Sequence, residues 1–93
     1  MELSLDGKSV IVTGGTGSFG QKFVETVLHK SKPKRLVVFS RDEQKQFEME
    51  QRFSVSDYPI LRYFIGDVRD RERVFRAFSG VEYVLHAAAM KHI

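Results

Sequence analysis

Cysteine is absent from the chain, which excludes a disulfide framework and any thiolate metal site. That absence agrees with a reducing compartment, and the expected localisation is cytoplasmic. Long apolar runs are missing as well. Nothing approaches the roughly 20 residues that a membrane-spanning helix requires, so no membrane partner is expected. The opening residues are short and polar, unlike the apolar centre of a signal peptide. Only two prolines interrupt an ordinary globular composition, 42% hydrophobic and 29% charged, which argues against disorder. With 93 residues there is room for at most one small domain.

Charge is weakly one-sided, at +3 with a pI near 9.4. Lys30, Lys32, Lys34 and Arg35 lie close together, but Pro33 splits the run where a helix gives way to a strand. Cations there offset a helix dipole, and no stacking aromatics are interleaved with them. A solvated turn is expected, not a nucleic-acid surface. His86 and His92 have no carboxylate or third histidine nearby in sequence, so no metal site is expected and His86 reads as a packed core residue.

Short β-branched runs alternate with longer segments of helical spacing. Val10-Ile11-Val12-Thr13, Leu36-Val37-Val38-Phe39, Arg62-Tyr63-Phe64-Ile65 and Tyr83-Val84-Leu85-His86 read as strands, the second continuous and not alternating, as in a parallel strand covered on both faces. Between them, Phe19, Phe23, Val27 and Leu28 mark the inner side of a first helix. Phe47 with Met49 or Phe53 marks a second, and Val74, Phe75 and Phe78 a third that Gly80 stops. Ser40 and Glu43 have the form of a capping box for the second helix, and Asp70 is the expected cap of the third. The order β-α-β-α-β-α-β predicts an α/β fold: a Rossmann-like, doubly wound parallel sheet. Such a domain normally continues with more strands, so residues 1–93 are expected to be a partial domain with an exposed apolar strand edge.

The stretch Thr13-Gly14-Gly15-Thr16-Gly17-Ser18-Phe19-Gly20 follows a strand and opens a helix, the context in which a glycine-rich turn binds a dinucleotide pyrophosphate. Gly14 and Gly15 permit the tight turn, Gly17 lets the backbone approach phosphate, and Gly20 lets the helix lie close to the strand. The N–H groups of Thr16 to Phe19 would face the phosphates. A P-loop is disfavoured, because Gln21 stands where its lysine is required. The second strand ends Phe39-Ser40-Arg41, without the terminal acid usual in NAD sites. Arg41 and Lys45 suit a 2′-phosphate and point to NADP, while Asp42 keeps an unphosphorylated ribose open. Gly66-Asp67-Val68 stands where an adenine would lie, although Asp67 taken alone reads more readily as a helix or turn cap. Ala87, Ala88 and Ala89 are small enough for a cofactor to pass closely. Lys91 leaves the carboxyl end of a strand, where ligands bind in such sheets.

These segments, in order with Ser40-Arg41-Asp42-Glu43, Gly66-Asp67-Val68-Arg69-Asp70 and His86-Ala87-Ala88-Ala89-Met90-Lys91-His92, resemble the extended short-chain dehydrogenase/reductases. More narrowly, they are similar to the inverting UDP-N-acetylglucosamine 4,6-dehydratases of pseudaminic acid and related polysaccharide pathways. The resemblance implies that Gly14, Thr16, Gly17, Ser18, Phe19 and Gly20 hold the NADP phosphates. It assigns Ser40, Arg41, Asp42, Glu43, Gln44 and Lys45 to the 2′-phosphate region, and Asp67 and Val68 to the adenine. Ala87 and Ala88 would line the cofactor, and Lys91 would lie between cofactor and UDP-N-acetylglucosamine. A homo-oligomer is implied for the full-length proteins. The family's catalytic Tyr-x-x-x-Lys pair has no counterpart: Tyr58, Tyr63 and Tyr83 are followed four residues later by Arg62, Asp67 and Ala87. No catalytic residue is therefore expected within this chain, and the chain alone is expected to be inactive. The alternatives are an epimerase or reductase of the same superfamily and a non-catalytic dinucleotide-binding module. An S-adenosylmethionine-dependent methyltransferase ranks last, since it would want an acid where Ser40 and Arg41 stand.

Overall fold

The computed structural model describes residues 5–87. Seven elements follow in the order β1 (Ser9–Thr13), α1 (Ser18–Lys30), β2 (Arg35–Ser40), α2 (Glu43–Arg52), β3 (Leu61–Ile65), α3 (Arg71–Phe78) and β4 (Tyr83–His86). The four strands are all parallel and lie side by side as β3-β2-β1-β4. This is the expected Rossmann-like, doubly wound arrangement. Period-two alternation sends Val10, Val12, Leu36, Val38 and Leu61 to one face, where α1 and α2 cover them with Val24, Val27, Met49 and Phe53. Ile11, Val37 and Phe39 face the other way, against Ala77, Val74 and Phe78 of α3. The link from β3 to β4 must pass β2 and β1 to reach the far edge, and α3 makes that crossing on the face α1 and α2 leave free. Strands β1 and β2 are thus sandwiched, which accounts for their unbroken apolar runs. At the edge, β4 leaves Tyr83 and Val84 exposed.

Three aromatic residues depart from the sequence expectation. Phe19, Phe47 and Phe75 are exposed, Phe47 at 60% and Phe75 at 79%. On α1 and α2 the buried position lies one residue away, and on α3 two. Gly20, Val24 and Val27 are buried in α1, Gln46 and Met49 in α2, and Ala77 in α3. Gly20 and Gln46 take buried places that hydropathy alone assigns to Phe19 and Phe47, while Ala77 joins Val74 and Phe78, which pack inward as expected. Gln46 is accommodated because its Nε2 donates to the Phe64 carbonyl at 3.3 Å. The helix caps also differ in part. Asp42, not Ser40, caps α2 by accepting from the Lys45 N–H at 2.9 Å, while Asp70 caps α3 as expected.

One close contact fixes where α1 begins. A Cβ placed on Gly20 would lie 2.5 Å from the Gly15 Cα and 2.6 Å from its carbonyl carbon and oxygen. No side chain fits between them. A Cβ on Gly15 would in turn meet Val38 at 2.8 Å and Val12 at 3.0 Å, so the turn rests directly on the sheet. At the other end of α2, the Tyr63 hydroxyl donates to the Phe53 carbonyl at 2.6 Å. Burial, aided by the charge of Glu50, pushes the Tyr63 phenol up to about 12.

Gly20→Ala is expected to cost about 1–3 kcal/mol of stability through overpacking, whereas Phe47→Ala should stay within about 0.5 kcal/mol of the parent. Urea midpoints at unchanged slope distinguish the two. Folding favours the neutral Tyr63 phenol, so its contribution is complete below the ordinary value of 10.0 and is lost as pH rises through about 12. Stability measured across that interval should fall with pH in the parent chain and fall less in Tyr63→Phe.

Candidate functional site

The site lies at the carboxyl ends of β1, β2 and β3, on the side of the sheet where ligands bind in open α/β folds. The chain leaves β1 through Gly14, whose φ of 69° is accessible to glycine at no steric cost, and enters α1 at Gly17. Unlike Asp42 and Asp70, Gly17 has no side chain to cap its helix. The first-turn N–H groups therefore keep no side-chain cap, at the end where the helix dipole favours an anion.

Two hydrogen-bonded networks hold this turn. The buried hydroxyls of Thr16 and Ser40 lie 2.9 Å apart, and Ser40 Oγ also accepts from the Asp42 N–H at 3.1 Å. The end of β2 is thereby tied to the turn after β1. Gln21 Nε2 donates to the Thr16 carbonyl at 2.8 Å, and Gln21 Oε1 accepts from Arg52 Nη1 at 2.9 Å. Arg52 Nη2 also reaches Glu25 at 3.0 Å. Gln21 thus braces the turn from the position a P-loop lysine would occupy. A groove of about 590 Å³ between α1 and α2 carries Ser18, Lys22 and Lys45 on its walls.

Beside it opens a crevice of about 520 Å³, floored by Gly14, Thr16 and Gly17, with Phe39 to Asp42 and Lys45 on one side and Gly66 to Arg69 on the other. Of the residues expected at the site, Gly14, Thr16, Gly17, Ser40, Arg41, Asp42, Lys45, Asp67 and Val68 come together here. Ser18 lines the neighbouring groove, and Gly20 is buried beneath the turn. Phe19, Glu43 and Gln44 are exposed and line neither space. Ala87 is buried in the core beneath α1 and α2. Ala88 and Lys91 lie outside the described residues. His86 is exposed and not packed, with Nδ1 2.7 Å from Thr13 Oγ1, because β4 is an edge strand.

Two crevice residues, Phe39 and Arg69, escaped the sequence reading. Phe39 read only as strand core. Gly66 is required because a Cβ there would lie 2.9 Å from the Phe39 ring. Arg69 stands two residues after Asp67, the spacing of an Asx turn, which was the one available signal. Arg69 donates to Asp67 through its backbone N–H at 2.8 Å, Nη2 at 2.8 Å and Nε at 3.2 Å to both oxygens. Arg41 Nη1 stands 3.5 Å from Asp67 Oδ2. The hydrogen bonds from Arg69, followed by the charges of Arg69 and Arg41, hold the Asp67 carboxyl well below the usual carboxylate range. Behind this turn, Arg73 lies over the Phe64 ring at 4.3 Å and donates to the Ile65 carbonyl. Among the described residues, no cluster of His, Asp and Glu could hold a metal ion, and no helix is long and apolar enough to cross a membrane.

The chain matches the model of the polysaccharide biosynthesis protein family over residues 10–93. It is 52% identical over 86 residues to an inverting UDP-N-acetylglucosamine 4,6-dehydratase of Campylobacter jejuni, covering 92% of this chain and 25% of that relative. To a UDP-glucose 4-epimerase of Rickettsia canadensis it is 44% identical over 90 residues, with the same two coverages. The chain thus spans about a quarter of the length of the curated relatives it matches. Its fold superposes on Pen from Bacillus thuringiensis with a TM-score of 0.83 and 41% identity, over 99% of this chain and 28% of that one. Sequence match and fold agree: the chain belongs to the polysaccharide biosynthesis protein family and carries a Rossmann-like α/β fold.

Proposed function

We propose that the chain is the NADP-binding portion of a nucleotide-sugar 4,6-dehydratase acting on UDP-N-acetylglucosamine with inversion at C5. The observation that carries the cofactor reading is the wall of the crevice after β2. Arg41 and Lys45 stand beside buried Ser40, while Asp42, the acid that could serve an unphosphorylated ribose, is engaged in capping α2. A guanidinium matches a phosphate with parallel donors, where a carboxylate would repel it. The residues present fit a dinucleotide: the close approach of Gly20 to Gly15 brings the uncapped end of α1 against the turn, and the crevice runs from there to Arg41.

In this reading the first-turn N–H groups of α1 bind the pyrophosphate, and Thr16 holds the turn against Ser40. Arg41 and Lys45 bind the 2′-phosphate, with Asp67 and Val68 beside the adenine. Lys91 is assigned to the boundary between cofactor and sugar. A bound nicotinamide would supply reversible hydride transfer with the sugar, the chemistry that a 4,6-dehydration requires. Proton transfer at the sugar needs an acid–base pair, and no Tyr-x-x-x-Lys occurs in these 93 residues. Identity to the dehydratase, higher than to the epimerase, favours the dehydratase reading, with the epimerase as the second. A cytoplasmic homo-oligomer is proposed for the full-length protein.

Calorimetric titration of the chain is expected to show tighter binding of NADP⁺ than of NAD⁺, with Arg41→Ala weakening NADP⁺ by about tenfold or more, the scale of a charge-assisted hydrogen bond. Equal affinity for the two cofactors would defeat the NADP assignment. Incubated with UDP-N-acetylglucosamine and NADP⁺, the chain alone should release no 4-keto-6-deoxy product. Turnover would show that the chemistry does not depend on a Tyr-x-x-x-Lys pair.

A further inference from the structure

The crevice contains more charge than a 2′-phosphate site needs. Arg41, Lys45 and Arg69 line it together with two carboxylates, Asp42 and Asp67. An uncompensated carboxylate at either position would oppose a dianionic ligand. The Asp42 side chain is engaged by the Lys45 N–H, and Asp67 is engaged by Arg69.

The two arginines hold Asp67 very unequally. Arg69 covers both carboxylate oxygens with its backbone N–H, Nε and Nη2, at 2.8–3.2 Å. Arg41 offers one nitrogen at 3.5 Å, beyond a good charge-assisted hydrogen bond, and its side chain remains 74% exposed. Asp67, with its side chain only 30% exposed, is the more confined partner. Were Arg69 absent, Asp67 would be a bare carboxylate within reach of Arg41, and a fork-to-fork pair between them would draw Arg41 away from any phosphate.

We propose that Arg69 is a positioning residue for cofactor choice: by clamping Asp67 it keeps Arg41 available, so that preference for a 2′-phosphorylated adenosine depends on Arg69 although Arg41 makes the contact. The inference rests on the NADP reading and deepens it. Both cofactors share the adenine and pyrophosphate. Any effect of Arg69 on those parts therefore cancels in the ratio of the two affinities, and only an effect on the 2′ position remains.

The test is calorimetric titration of NADP⁺ and NAD⁺ into the parent chain, Arg69→Gln, Asp67→Asn and the Arg69→Gln/Asp67→Asn double variant. Arg69→Gln is expected to lower the NADP⁺/NAD⁺ affinity ratio about tenfold. In the double variant the ratio should return to that of Asp67→Asn alone, since no carboxylate is left to capture Arg41. A lowered ratio that the second substitution fails to restore would mean that Arg69 itself holds the phosphate, which overturns the positioning role. An unchanged ratio, or equal weakening of both cofactors, overturns it too while leaving the NADP reading intact. A parent chain without NADP⁺ preference removes that reading, and the inference with it.

Discussion

The contact between Gly15 and Gly20 is the constraint on which the rest of the site depends. Two backbones touch at a separation that admits no Cβ, so the first turn of α1 sits directly against the turn leaving β1. The uncapped end of the helix is held there over the sheet, and Thr16 comes within hydrogen-bonding distance of Ser40. A wider approach would loosen the link between the ends of β1 and β2 that forms the floor of the crevice. Gln21 and Arg52 extend the same brace into α2, so both helices on that face are referred to one turn.

Charge in the crevice is arranged by pairing as much as by residue type. Asp42 and Asp67 lie in it, yet each is engaged locally, one by a helix N–H and the other by a neighbouring guanidinium. These are short-range contacts made within three residues of chain, so forming them costs little loop-closure entropy. The pairs themselves are solvent-exposed and contribute little to stability. Their significance lies in which cations they leave available to a ligand.

The Rossmann-like fold explains why so many candidate site residues gather at one edge. Parallel strands point all their carboxyl ends the same way, and the loops that follow β1, β2 and β3 meet there. The crevice opens among these three loops. Phe39 serves both sides of this design. It is core to α3, stacked on Phe64 with centroids 5.8 Å apart, and it is wall to the crevice.

The sequence alone determined the order of elements, the strands and the glycine-rich turn, because these rest on short-range rules: runs of β-branched residues, helical spacing and glycine between a strand and a helix. Asp70 as a cap was legible for the same reason. Only the tertiary structure decided which residues face inward when the stripe holds Gly20, Gln46 and Ala77, since their burial depends on backbone approach or a distant carbonyl and not on hydropathy. It also decided that Ser40 bonds Thr16 instead of capping α2, and that His86 is an exposed edge residue. Most of all, it brought Arg41 to Asp67 from 26 positions away. Local pattern reports what a residue can do, and three-dimensional proximity selects the partner with which it does so.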